Sequence, residues 1–192
     1  TSDVIECLAE SGAQMIISLN ASPFDLMKSD ARMAHAVSRV HESELPLVYV
    51  NMVGGQDELV YDGASFALNA DGKLAAHLPS FSETTSVIRV VEDFGVPSLT
   101  GQMNPPDVGI GAVYRGLTLG LRDYIDKNGF PGVVLGLSGG IDSAIVAALA
   151  VDALGAERVH AVMMPSPYTS QESLDDAADL VGRLGIRLDE IG

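Results

Sequence analysis

The sequence predicts an α/β protein in two parts, the second of them built on a parallel sheet. Three observations lead there. Short apolar runs such as "AQMIISLN" and "LPLVYVNMV" alternate with segments whose apolar residues recur at helical spacing. A stretch rich in Gly, Pro and polar residues, "DFGVPSLTGQMNPPDVG" at 93–109, breaks every period and reads as a linker between residues 1–92 and 110–192. Beyond it the order strand, helix, strand, helix calls for a parallel sheet with right-handed crossovers.

In chain order, Val4, Ile5 and Leu8 of "VIECLAESG" share a helical face, and Gly12 suits the stop. "AQMIISLN" reads as a buried strand closed by the turn "NASP". From Ser29 to about His41, Met33, Val37 and Val40 fall at helical spacing. "LPLVYVNMV" is a second apolar strand. "ASFALNADGKLAAH" forms a hairpin around Asn69-Ala70-Asp71-Gly72, where Asp-Gly supplies the positive φ of a tight turn. Past the linker, Ile110, Val113, Leu117, Leu121 and Tyr124 fall on one face of a helix ending at Gly129. A strand "GVVLGLS", a helix over about 142–154, a strand "RVHAVMMP" and a helix over about 171–184 follow, and a last apolar segment begins at Ile186.

Composition narrows the function classes. Apolar residues make up 47% of the 192, enough for a sizeable core. The 26 acidic residues outnumber 11 basic ones, a net charge of −15 that disfavours a broad nucleic-acid or anionic-membrane surface. A local loop can still bind an anionic small molecule against that field. The single cysteine allows no internal disulfide, and no apolar stretch reaches the roughly 18–20 residues of a membrane span. The start, "TSDVIECLAE", has no basic n-region, so no signal peptide is expected and a cytoplasmic setting is.

The chemistry concentrates in "GLSGGIDSA", residues 136–144, at the end of a strand and the start of a helix. Glycines let backbone N–H groups close around phosphate oxygens, and the helix N-terminus adds unpaired donors and partial positive charge. The candidate phosphate contacts are Gly136, Leu137, Ser138, Gly139, Gly140, Ile141, Asp142 and Ser143. A Walker A loop would place a Lys against the β/γ-phosphates. Here Asp142 stands in that region, an anion near an anion, and Mg2+ between a carboxylate and phosphate oxygens resolves the conflict. The loop therefore reads as a clamp for leaving pyrophosphate, with the reaction at the α-phosphate. The competing reading is a plain strand-to-helix turn with Asp142 as a cap.

This run resembles the S-G-G-x-D-S loop of the ATP pyrophosphatases, which activate substrates as adenylates. The following "VHAVMMPSPYTSQESLDDAADL" resembles the NAD synthetase pattern of M-P-S, then Y-T-S and S-x-x-D-A. By that resemblance the domain is the start of an adenine-nucleotide α-hydrolase-like (Rossmann-like) parallel-sheet fold, and Met164 sits by the adenine. For Met163 and Met164 core packing is the alternative, and Ser166, Ser170 and Ser173 fit turn and cap positions equally.

The first part, through "LNASPF" and "VNMVGGQDELVYDG", resembles the C-terminal half of a nitrilase-type glutaminase domain, an α/β/β/α sandwich. Together the two resemblances cover almost the whole chain and point to the glutamine-dependent NAD synthetases. They imply hydrolysis of glutamine, passage of ammonia, and ATP-driven amidation of nicotinic acid adenine dinucleotide, giving NAD, AMP and pyrophosphate, in a homo-oligomer. They also imply that Ser22 and Lys28 contact the glutamine; a turn hydroxyl and a solvated lysine are the alternatives. The family's Glu–Lys–Cys triad has no counterpart here, since Cys7 lies outside a C-E-D-type motif and fits a small core position. Gly54–Gly55 reads as a bend or close backbone approach near the glutamine pocket, and Asp57 and Glu58 as neighbours pointing apart on a strand. Amidation of a different carboxylate, or ATP binding without turnover, are the remaining readings.

Overall fold

A computed structural model of the protein describes residues 4–93 and 96–192. The chain divides into two compact units, residues 1–54 with 59–116, and residues 55–58 with 117–192.

In the first unit, helix α1 (Val4–Glu10) leads to strand β1 (Ile16–Asn20), and helix α2 (Lys28–Ser43) carries the chain back to β2 (Leu47–Asn51). β1 and β2 are parallel, which is why a helix must intervene between them. β5 (Phe66–Leu68) adds antiparallel to β2, and β6 (Leu74–His77) adds antiparallel to β5, so the sheet order is β1-β2-β5-β6. The β5–β6 turn is the expected one: Asn69 N–H donates to Lys73 O at 2.9 Å, and Gly72 takes φ +77°. The helical face packs Ala36 and Val40 of α2 onto Ile16, Leu47, Phe66 and Leu68. Tyr49 and Phe66, directly opposed across β2 and β5, stack with ring centroids 4.9 Å apart.

Between β2 and β5 the chain forms a hairpin, β3 (Val53–Gln56) and β4 (Leu59–Asp62). Asp57 occupies its turn with φ +52°, so Asp57 and Glu58 are turn residues rather than neighbours on a strand. Gly55 is indeed a close-approach site: a Cβ there would meet Gly120 Cα and Asp123 Cβ, each at 3.1 Å. Its N–H donates to Asp123 Oδ2 at 2.7 Å, and its carbonyl accepts from Lys127 Nζ.

The stretch 93–109 is not wholly irregular. Strand β7 (Arg89–Asp93) pairs antiparallel with β8 (Val96–Thr100), and Leu99 is fully buried against Ala67 and Ala76. Pro97 and the flanking glycines mask this strand in the sequence, because its register rests on burial of one leucine rather than on alternation.

Helix α3 (Gly109–Lys127) also differs in detail. The buried positions are Ala112, Gly116, Leu119 and Ile125, whereas Ile110, Leu117 and Tyr124 are exposed. In the first half of the helix the small Ala112 and Gly116 are the buried positions, and hydropathy alone assigns the face to larger side chains.

In the second unit β9 (Val133–Gly136), helix α4 (Ile141–Leu154), β10 (Val159–Met163), helix α5 (Gln171–Leu184) and β11 (Arg187–Glu190) alternate as expected. The sheet is parallel throughout, in the order β11-β10-β9. α4 presents Ala147, Ala150, Ala153 and Leu154 to a core that includes Leu137, Val159, Ala161, Met163, Ala177 and Ile186. The alanines on α4 allow close approach of helix to sheet. Among the described residues, no helix is long and apolar enough to cross a membrane.

Candidate functional site

The loop at 136–143 follows from its two anchors. β9 ends at Gly136, and Leu137 drops into the core, 3% exposed, with its N–H donating to Val162 O at 2.9 Å. At the other end α4 begins at Ile141 with Gly140 as N-cap, φ −83° and ψ 157°, and no side chain caps the helix. The first N–H groups of a helix have no intrahelical partner, so an uncapped start leaves donors for a ligand. Asp142 therefore is not the cap. It is exposed in the first turn, and among the described residues its carboxylate has no hydrogen-bond or ion-pair partner.

Between the anchors the loop is closed by its own hydroxyls. Ser143 Oγ donates to Gly140 O at 2.9 Å, accepts from Ser138 N–H at 3.3 Å, and lies 3.1 Å from Ser138 Oγ. Gly140 N–H points to Ser138 Oγ at 3.4 Å. Gly139 takes φ +74°, and a Cβ on it would sit 2.2 Å from the carbonyl oxygen of Ser173, in the first turn of α5. The two glycines thus have separate reasons. Gly139 supplies a left-handed residue pressed against a neighbouring backbone. Gly140 supplies an uncapped helix start.

The end of β10 sends its two methionines opposite ways, as strand alternation requires. Met163 is buried in the core, 7% exposed. Met164 is 67% exposed and reaches the loop entrance, its Cε 3.9 Å from where a Cβ on Gly136 would be. Ser170 caps α5, its Oγ accepting from Ser173 N–H at 3.2 Å, and Ser166 accepts from Tyr168 N–H at 3.2 Å in the preceding turn. Those serines have the turn and cap roles.

In the first unit, Ser22 and Lys28 line one cavity of about 610 Å3, with Ile17, Asn20, Arg32 and Tyr49 also on its wall. Lys28, exposed at the start of α2, brings positive charge to this wall in a strongly acidic chain, while the buried Arg32 one turn on is balanced by Asp62.

Behind the cavity lies a network that the sequence reading missed. Arg32 is buried in line with Ala36 and Val40, and it forms a two-pronged ion pair with Asp62, 3.0 Å from NH2 to Oδ1 and 3.2 Å from NH1 to Oδ2. Asn51, at the end of β2, donates from Nδ2 to Asp62 Oδ1 at 3.3 Å and to Ser22 O at 3.2 Å. Its Oδ1 accepts from Ser22 N–H at 2.8 Å. The available signal was a carboxylate closing an apolar strand, which needs a buried cation, and an arginine four residues before Ala36 on the apolar face of α2. Among the described residues no group of three or more His, Cys, Asp or Glu is placed to hold a metal ion. A single carboxylate at Asp142 fits a cation only where other oxygens complete its shell, as phosphate oxygens do for Mg2+.

Comparison with known proteins places both parts. Residues 3–94 match the carbon-nitrogen hydrolase family and residues 113–192 the NAD synthase family. A glutamine-dependent NAD(+) synthetase of Rhodobacter capsulatus is 52% identical over 192 residues, covering 98% of this chain and 34% of that protein. The corresponding protein of Synechocystis is 41% identical over 189 residues, covering 96% of this chain and 33% of its own. The solved structure of glutamine-dependent NAD+ synthetase from Acinetobacter baumannii, in complex with ADP, matches with TM-score 0.89 and 41% identity, over 97% of this chain and 35% of that one. The chain spans about a third of the length of the curated relatives it matches. With a carbon-nitrogen hydrolase segment and a NAD synthase segment in this order, the chain is similar along almost its whole length to part of the glutamine-dependent NAD synthetases.

Proposed function

We propose that the full gene product carrying this chain makes NAD from nicotinic acid adenine dinucleotide, ATP and glutamine. The observation that carries the reading is the uncapped S-G-G-I-D-S loop, closed by Ser138 and Ser143 and bearing an Asp142 with no partner among the described residues. In the proposed reaction a substrate carboxylate oxygen bonds to the α-phosphorus of ATP as the bond to the bridging oxygen of pyrophosphate breaks. Ammonia then attacks the adenylated carbonyl carbon, loses a proton, and AMP leaves.

The loop's part in this is to hold the leaving pyrophosphate. N–H groups at the start of α4 and the hydroxyls of Ser138 and Ser143 meet its oxygens, with Gly136, Leu137, Gly139, Gly140 and Ile141 setting the backbone. Asp142 would hold Mg2+, which, when bound, neutralises charge developing on the pyrophosphate. Met164, exposed at the loop entrance, would cover the adenine. The similar Acinetobacter baumannii protein is in complex with ADP, which supports nucleotide binding by a protein of this kind. In the first unit, Ser22 and Lys28 would contact glutamine from the wall of their shared cavity. The division into residues 1–92, a connecting stretch 93–109 and residues 110–192 follows the same reading, supported by family matches at 3–94 and 113–192.

The test is NAD formation by the full gene product from ATP, glutamine and nicotinic acid adenine dinucleotide. The proposal requires NAD, AMP and pyrophosphate in equal amounts. A protein that is folded and forms no NAD with either glutamine or ammonium refutes it.

A further inference from the structure

Asn51 is placed in an unusual relation to Ser22. A carboxamide side chain carries one acceptor and two donors in a plane, the same pattern that a peptide group offers a neighbouring strand. Asn51 uses this pattern on a single residue: Oδ1 accepts the Ser22 N–H at 2.8 Å and Nδ2 donates to the Ser22 carbonyl at 3.2 Å. Both backbone groups of Ser22 are therefore held by one side chain 29 residues away in sequence. The carboxamide is itself prevented from turning over, because Nδ2 also donates to Asp62 Oδ1 and a flipped amide would set oxygen against that carboxylate. Asp62 is locked in turn by Arg32, with both side chains only 6% exposed. The Asn51 N–H donates to Ser65 Oγ at 3.0 Å, which fixes the end of β2 from the other side.

The surrounding chain shows the same concern with this segment. Arg32 NH2 reaches Ser22 O at 3.5 Å, Met52 N–H donates to Asn20 O at 2.9 Å, and Phe24 N–H donates to Val60 O at 2.7 Å. Beyond the end of β1, Ala21 to Phe24 has no regular secondary structure, so these long-range bonds are what hold it. Buried polar groups of this kind are costly unless fully paired, and a cheaper apolar core would serve stability alone equally well. The network ends at Ser22, a loop residue that lines the cavity together with Lys28.

We propose that Asn51 is a positioning residue for the ligand cavity: clamped by the Arg32–Asp62 ion pair, it fixes the backbone of Ser22 on the cavity wall and so sets affinity for the amide substrate bound there. The inference rests on the reading of this cavity as the glutamine site.

The test separates the two sources of nitrogen in the full gene product. Glutamate release and NAD formation are measured against glutamine concentration, and NAD formation is measured separately with ammonium. Asn51→Ala removes the clamp and is expected to raise KM for glutamine roughly tenfold or more, while ammonium-driven NAD formation stays within about twofold of the unsubstituted protein. Arg32→Lys keeps charge and bulk but cannot form both prongs, and is expected to raise the same KM by a smaller factor. If Asn51→Ala does not fold, Arg32→Lys decides alone. An unchanged glutamine KM, or an equal loss with both nitrogen sources, overturns the proposal. An unsubstituted protein that makes no NAD from either source refutes instead the functional reading on which it rests.

Discussion

Substituting Gly139 by alanine tests the close approach of the 136–143 loop to α5, and its neighbour Gly140 provides an internal control. At Gly139 the backbone has φ +74°, and the new methyl would lie 2.2 Å from Ser173 O, 2.9 Å from Ser173 C and 2.9 Å from Ser173 Cα. A residue with a Cβ in the left-handed region costs about 1–2 kcal/mol. The contact is with backbone, so α5 must retreat by most of an ångström, and overpacking of this kind costs about 1–3 kcal/mol. Together they amount to roughly 2–5 kcal/mol. At Gly140, φ is −83° and the nearest atom to an added methyl is Ser138 Oγ at 3.5 Å, so Gly140→Ala loses no more than about 1 kcal/mol. Hydrogen exchange of the β9, β10 and α4 amides in the full gene product reads the difference locally. Protection is expected to fall about thirtyfold or more in Gly139→Ala, and only several-fold in Gly140→Ala. Equal protection in the two variants would refute the close approach of the loop to α5.

Three further outcomes follow from named contacts. Arg32→Ala leaves Asp62 buried and unpaired and is expected to cost about 3–5 kcal/mol, measured by urea unfolding, whereas an apolar pair such as Arg32→Met with Asp62→Leu recovers most of it. Ser170→Ala removes the α5 cap and is expected to cost about 1 kcal/mol, seen as faster amide exchange in the first turn of that helix. Asp71 accepts from Lys73 Nζ at 2.7 Å and from Lys73 N–H at 3.1 Å, which holds its carboxyl below the ordinary value of 3.8. A lowered carboxyl contributes stability above its ordinary value and loses it as pH falls through the native value. An NMR titration is expected to show the Asp71 midpoint below 3.8, moving up in Lys73→Ala.

Much of this arrangement is legible in residue order, and the reasons for success and failure are physical. The βαβαβ alternation of the second unit reads directly, because β9 and β10 are short, mostly apolar runs and each helix is bounded by Gly155 or Gly185, whereas β11 carries only Leu188 as an apolar residue. The loop reads for a similar reason: its glycines and hydroxyls are local, and all their hydrogen bonds span five residues or fewer. What escapes is non-local or counter to size. Strand β8 depends on Leu99 meeting Ala67 and Ala76 across the fold. In the first half of α3 the small Ala112 and Gly116 are buried, while the larger Ile110 and Leu117 stay exposed. The Arg32–Asp62–Asn51–Ser22 network joins residues 10 to 30 positions apart, so no window of sequence contains its logic. Ser22 and Lys28 were legible as candidates, but what holds Ser22 in place was not.

In the proposed reaction the 136–143 loop grips pyrophosphate through Asp142 while the α-phosphate reacts. This is tested most directly by exchange of labelled pyrophosphate into ATP, catalysed by the full gene product with no nitrogen source present. The account predicts label in ATP only when nicotinic acid adenine dinucleotide and Mg2+ are both supplied, and a loss of at least tenfold in Asp142→Ala. Exchange that survives Asp142→Ala unchanged, or release of ADP and phosphate in place of AMP and pyrophosphate, would contradict it.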